Sequence, residues 1–246
     1  MRCHRSEPAL PDRQRGAALV LALLVFAISA AIITGISRDF NRIYQQAGNS
    51  MLTQQSAVYL RGAEELATLA LKVDYDQDAI NDLRRDDLEE VWARDEVPYP
   101  LDEGGWLSGY LEDLQGRFNL NSLVDRAPQG EGKPQFTPPQ QQFIRLLLAL
   151  EDVALSEQDA IAITRAVGDW LDTDSTVRPD GAEDDHYFGL TPAYRSANRP
   201  MASASELRSV AGVTPELYLA LQPWVTVWPQ TPAKLNLHTA PATVLR

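Results

Sequence analysis

A chain of 246 residues with 44% hydrophobic side chains is long enough for one or two domains with real cores, which excludes disorder throughout. Its 34 acidic and 22 basic side chains leave a formal charge of −12; this disfavours a nucleic-acid partner, since phosphate binding rests on Lys and Arg, and suits cations or basic protein surfaces. One cysteine, Cys3, and three scattered histidines, His4, His186 and His238, make neither a disulfide framework nor a zinc cage, so any metal is expected to be hard and oxygen-bound.

Residues 1–16 carry Arg2, Arg5, Arg13 and Arg15 and end in Gly16, after which residues 17–37 hold no charge. About 20 apolar residues at about 1.5 Å each cover the roughly 30 Å of a bilayer core, so this run is long enough to span a membrane. An ordinary signal peptide is cut after its apolar core, whereas the Arg15-Gly16 junction precedes it; cleavage between Gly16 and Ala17 keeps the helix. A plain single-pass anchor or uncleaved signal is the competing reading. Ala27, Ala31 and Gly35 recur every four residues, either as a close helix contact or incidentally. Apolar residues from Met51 to Val73 continue the helical pattern, and no proline intervenes before Pro98. One helix is therefore expected over residues 17–72, with 17–37 in lipid and 38–72 packed on a globular head.

Residues 74–96 read as a connector or short helix. Gly104 and Gly105 lead into residues 106–114, and Gly116 separates these from 117–123, a pattern with hairpin character. Residues 224–228 and 234–237 alternate and give two further strands, so a small antiparallel sheet is expected. Between them the pattern turns helical: one helix after Pro138 and Pro139, one capped by Ser156 with Asp159, and one capped by Ser203 or Ser205. Near Arg246 a helix signature begins at Thr239 with Pro241 just inside, and it looks unfinished, as in a fragment of a longer chain.

The densest acidic group is Asp169, Asp172, Asp174, Asp180, Glu183, Asp184 and Asp185. A Ca²⁺ ion would relieve the repulsion, since it takes six to eight oxygens in irregular loops; the spacing is not that of an EF-hand, and a solvated acidic loop is the alternative. Residues 207–217 have the outline of a helix-hairpin-helix around Gly212, but Thr214 stands where a second glycine is usual and Glu216 where a base would help, which favours a structural helix pair. No nucleophile elbow, phosphate loop or zinc-protease motif occurs. Asp102 with Glu103 and Glu112 with Asp113 read as surface charges, and Trp106, Trp224 and Trp228 as packing residues.

Arg15-Gly16 followed by Ala17-Ala-Leu-Val-Leu-Ala-Leu-Leu-Val-Phe26 resembles the prepilin signal of type IV pilins and type II secretion pseudopilins. That resemblance implies removal of the leader by a prepilin peptidase and a methylated amino terminus. Most such chains carry a glutamate five residues after the cut, thought to neutralise a neighbour's amino terminus in lipid, where an unpaired charge costs several kcal/mol; here Leu21 stands instead, a mark of K-type minor pseudopilins. The phrases Gln115-Gly-Arg-Phe-Asn-Leu-Asn-Ser-Leu123 and Asp169-Trp-Leu-Asp-Thr-Asp174, with Gly181-Ala-Glu183 and Tyr187, also look like that family's.

The resemblance implies an α+β fold: a pilin-like long helix on a small antiparallel sheet, residues 73–125 and 223–246, split by an inserted all-α subdomain, 126–222. It implies a non-enzymatic minor pseudopilin that initiates and caps the pseudopilus tip, single-pass in the bacterial inner membrane with its head in the periplasm. I- and J-type minor pseudopilins and other pseudopilins are the implied partners, with no nucleic acid. K-type chains bind calcium in the helical subdomain; Asp172, Asp174, Asp180, Glu183 and Asp184 are the preferred ligands here, with backbone oxygens added. A minor type IV pilin and an anchored periplasmic hydrolase are the alternative readings.

Overall fold

Freedom from proline between Pro11 and Pro98 lets one helix run far. In the computed structural model, which describes residues 12–82, 85–94, 98–102, 104–125, 134–231 and 233–246, helix α1 spans Asp12–Asn81. It passes the expected end at Lys72 and stops where Asp82 takes a left-handed backbone, φ 56°, a conformation that Asp tolerates better than most residues. Among the described residues this is the one helix long and apolar enough to cross a membrane. Its large apolar side chains from Leu19 to Ile36 lie exposed; left in water they would forfeit about 25 cal/mol for each Å² of apolar surface, so they call for lipid or other helices around them. Most of the leader, residues 1–11, lies outside the described residues, as do Leu83 and Pro232.

The chain divides into a unit up to Thr68 and a unit of Leu69–Arg246. In the second unit β1 (Tyr99–Pro100) and β2 (Trp106–Leu107) pair antiparallel, Tyr99 opposite Leu107. The turn between them is closed by Leu101 N–H donating to the Gly105 carbonyl at 3.1 Å. Gly104 and Gly105 both have φ above 90°, a region that side chains with a Cβ avoid. The hairpin therefore falls before Trp106 rather than around Gly116.

At Gly116 the chain instead makes a short 3₁₀ turn, Leu114–Gly116, capped by Asp113, whose carboxylate accepts from Gln115 N–H at 2.8 Å. Strand β3 (Phe118–Asn119) then pairs in parallel with β4 (Val225–Thr226), Phe118 opposite Val225. The mixed α+β class holds, but of the two small sheets among the described residues one is parallel, because β3 finds its partner across the helical segment and not in the adjacent stretch. Residues 234–237 form no strand. Asn236 fastens them: its N–H donates to the Gln115 carbonyl at 2.8 Å, and its side-chain amide donates to Asp86 O and Asp113 Oδ2, each at 2.9 Å. Thr239 Oγ1 donates to the same Asp113 oxygen at 2.7 Å, so Thr239 is a buried tie and the last helix, α6 (Ala242–Leu245), starts after Pro241. Asp113, read from sequence as a surface charge, is the acceptor on which this closure converges.

Between β3 and β4 lie α2 (Pro138–Leu148), α3 (Glu157–Leu171), α4 (Asp184–Phe188), a 3₁₀ turn at Ala204–Ser209 and α5 (Pro215–Leu221). Helix α2 starts earlier than expected: Thr137 and Gln140 form a reciprocal capping box, and the two prolines occupy the first turn, where a missing N–H costs nothing. Ser156 caps α3 by accepting from Asp159 N–H at 3.1 Å, as its sequence foretells. The core joins strand and helix residues, with Phe118 stacked on Phe143 at 5.2 Å over a layer of Leu120, Leu123, Leu147, Val167 and Leu221. Trp106 stays outside it, exposed at the β2 edge.

Asn121 is the polar rivet of that core. Its amide donates to Met201 O at 3.2 Å and Val227 O at 3.0 Å, and its carbonyl accepts from Met201 N–H at 2.8 Å. Replacing the fully buried Phe143 by alanine is expected to cost about 3–5 kcal/mol in urea denaturation of the detergent-solubilised chain. Leu148→Ala, on the exposed side of the same helix, is expected to cost within about 0.5 kcal/mol.

Candidate metal centre

Helix α3 buries a nine-residue stretch from Ile163 to Leu171 apart from Arg165, and its last turn carries Asp169 inward, with Asp172 as C-cap and no basic residue in that turn. A helix C-terminus already bears partial negative charge, so acids there need a counter-cation. Arg178 supplies one. Its backbone N–H donates to Asp169 Oδ2 at 3.1 Å, its Nε lies 3.3 Å from Asp169 Oδ1, and its Nη2 donates to Asp172 Oδ2 at 3.0 Å. Asp169 is fully buried and Arg178 nearly so; a charge in that position is tolerated only when paired.

On the other side of Asp172, the carboxylates of Asp172, Asp174 and Glu183 bring ligand atoms within 4.8 Å of one another. Asp172 and Glu183 are buried, Asp174 exposed. Glu183 Oε2 accepts from Ser196 Oγ at 3.1 Å, while its Oε1, equally buried, receives no hydrogen bond. Burial pushes the Glu183 carboxyl above the usual glutamate range; the Ser196 hydroxyl partly offsets this, and repulsion from Asp169, Asp172 and Asp174 adds to it. A buried glutamate with one orphaned oxygen, gathered with two more carboxylates, fits a hard, oxygen-seeking cation.

Of the five acids preferred from sequence, three thus converge. Asp180 takes a left-handed backbone, φ 59°, and turns to Arg165, whose Nη1 is 2.9 Å from its Oδ2. Asp184 Oδ1 accepts from the Ser196 N–H and hydroxyl, each at 3.0 Å. Arg178 is the functional residue that sequence reading passed over, and a lone arginine among seven acids was its signal. A second gathering, Asp74, Asp86 and Glu90, joins the end of α1 to the connector; burial first, then Asp113, raises the Asp86 pKa. Gly16, Ala17 and Leu21 all lie exposed on α1, whose helix runs through the Gly16–Ala17 junction.

The helix-hairpin-helix outline resolves into packing. Gly212, φ 81°, sits where a Cβ would come within 2.9 Å of Ile163, and Thr214 caps α5 by accepting from Leu217 N–H. Tyr187 stacks on Tyr194 and meets Trp170 edge-on, each at about 5 Å, and its buried hydroxyl is pushed up to about 12 by desolvation.

Residues 116–230 match the family described as type II secretion system (T2SS), protein K. A type II secretion system protein K of Aeromonas hydrophila is 35% identical over 233 residues, 92% of this chain and 67% of that one. The chain belongs to the type II secretion system protein K family. The Pseudomonas aeruginosa member is 36% identical over 94% of this chain and 67% of its own length. In three dimensions the chain is similar to one in the crystal structure of the GspK-GspI-GspJ complex from the enterotoxigenic Escherichia coli type 2 secretion system. The TM-score is 0.69 at 29% identity, covering 81% of this chain and 68% of the other. It is accordingly a minor pseudopilin of type II secretion, from a structural family of the machinery.

Because the folded Glu183 carboxyl is harder to ionise than the unfolded one, its stabilising contribution is full at low pH and lost as pH rises through the raised pKa. In chelator, Glu183→Gln is expected to melt above the parent at neutral pH, and the gain should vanish as pH falls into the ordinary glutamate range, read by thermal melts across pH.

Proposed function

We propose that this protein initiates and caps the tip of the type II secretion pseudopilus and so supports export across the outer membrane. The observation that carries this reading is its likeness, at TM-score 0.69, to a chain solved together with GspI and GspJ. I- and J-type minor pseudopilins are its partners in the tip. Leu21, an apolar residue where the family's carboxylate usually stands, supports a first subunit with no neighbour ahead whose amino terminus needs neutralising. Likeness to protein K relatives over more than nine-tenths of the chain favours this over a minor type IV pilin or an anchored hydrolase.

Residues 17–37 hold it in the inner membrane with its head in the periplasm, after a prepilin peptidase has cut between Gly16 and Ala17 and the new amino terminus has been methylated. The pairing of β3 with β4 supports a pilin-like unit, 73–125 and 223–246, interrupted by the helical subdomain 126–222. Asp172, Asp174 and Glu183 would hold a structural Ca²⁺. When bound, the ion neutralises carboxylates that otherwise repel at the end of α3.

Mass spectrometry of the membrane-extracted protein is expected to find an amino terminus at Ala17, and I- and J-type pseudopilins are expected to co-purify with it. A soluble product trimmed beyond Ser37 would refute the anchored assembly. Calcium at about 100 times its Kd is expected to stabilise the detergent-solubilised chain by about 2.7 kcal/mol. Asp174→Ala should abolish that calcium-induced shift, measured in parallel melts with and without chelator.

A further inference from the structure

We infer that Arg178 is the positioning residue of the metal centre: it fixes how Asp172 is presented to the cation and ties occupancy of the site to the chain segment 120–124. This rests on the calcium reading above. The guanidinium is a rigid fork with five donors, suited to holding several acceptors in one plane. Here it is shared between carboxylates and backbone: Nη2 donates both to Asp172 Oδ2 at 3.0 Å and to Val124 O at 2.8 Å, and Nη1 reaches Leu123 O at 3.4 Å. Asp172 is thereby held through one oxygen in the carboxylate cluster it shares with Asp174 and Glu183. Leu123, whose carbonyl lies at the other end of the fork, is fully buried in the core.

Two glycines keep this arrangement open. Gly168, in the last turns of α3, has no Cβ because one would fall on Arg178 Nη1, and a Cβ on Gly181 would fall on Asp169 Oδ2. Glycine inside a helix costs about 1 kcal/mol relative to alanine, so its presence in α3 needs a reason; the volume taken by Arg178 supplies it. The ties to Leu123 and Val124 make the coupling reciprocal: a cation that orders Asp172 orders the Arg178 fork, and through it residues 120–124.

Charge and geometry predict opposite signs. As a mere positive charge beside the site, Arg178 would repel calcium, and its removal would tighten binding. As an outer-shell partner that orients a ligand, its removal weakens binding, typically by about 10–100-fold.

The test uses the full chain in detergent with calcium chloride, following affinity by titration calorimetry and amide exchange at residues 121–124 by hydrogen exchange. In the parent, calcium is expected to slow exchange there. Arg178→Gln should weaken binding about tenfold or more and abolish that protection; Arg178→Lys, which keeps the charge but not the fork, should also weaken it. Gly168→Ala alters no charge yet displaces the guanidinium, so it should reproduce the loss, and in the Arg178→Gln background it should add little. Should Arg178→Gln fail to fold, Gly168→Ala and the parent's exchange carry the decision. Calcium binding by the parent with unchanged exchange at 121–124, or equal or tighter binding by Arg178→Gln, overturns the positioning role alone. A parent that binds no calcium overturns this role together with the calcium reading.

Discussion

Four carboxylates, Asp169, Asp172, Asp174 and Glu183, meet where α3 ends, at the pole of the helix that is itself partly negative. Much of the second unit is arranged to make that tolerable. Arg178 is drawn out of water to stand between two of them, and Ser196 donates its N–H to Asp184 and shares its one hydroxyl proton between Glu183 and Asp184. Arg165 takes Asp180 aside. Helix α3, the acidic loop and residues 123–124 are joined through the Arg178 guanidinium, and removing one partner of its buried ion pairs would leave an uncompensated charge at a cost of about 3–5 kcal/mol.

The contrast with the other acidic gathering, Asp74, Asp86 and Glu90, is physical. There the side chains are half-buried or exposed, so water screens much of their repulsion. Around Glu183, water is excluded from an oxygen that has no donor. Number of acids is similar in the two places; solvation differs, and solvation decides which of them calls for an ion.

What the sequence made legible was local. The α1 helix follows from an unbroken periodic pattern without proline, the Ser156 cap from the residue types at α3's start, and the acidic loop from composition alone. Less legible was everything fixed by partners distant along the chain. Phe118 and Asn119 alternate as any strand does, and nothing nearby tells that their partner is Val225 and Thr226 in parallel rather than the next stretch in a hairpin. Asp113 looked like a surface acid because its clients, Asn236 and Thr239, come more than a hundred residues later. Arg178 was overlooked for a different reason: its partners Asp169 and Asp172 are near in the chain, but a salt bridge leaves no period in a sequence. Within the site, composition identified the loop, whereas the sorting of Asp180 and Asp184 away from the central three depended on Arg165 and Ser196.

The close approach of Gly116 to Thr239 has a bearing on how such chains can diverge. A methyl group at Gly116 would press to 2.8 Å from the threonine hydroxyl oxygen and 2.9 Å from its backbone carbonyl. The carbonyl cannot rotate aside as a side chain can. Drift at this glycine is thus closed off whatever residue stands at 239, unless the whole returning segment shifts, and Asp113 pins that segment through Asn236. The spot should behave as a hinge pin that inheritance either keeps whole or discards together with its neighbours.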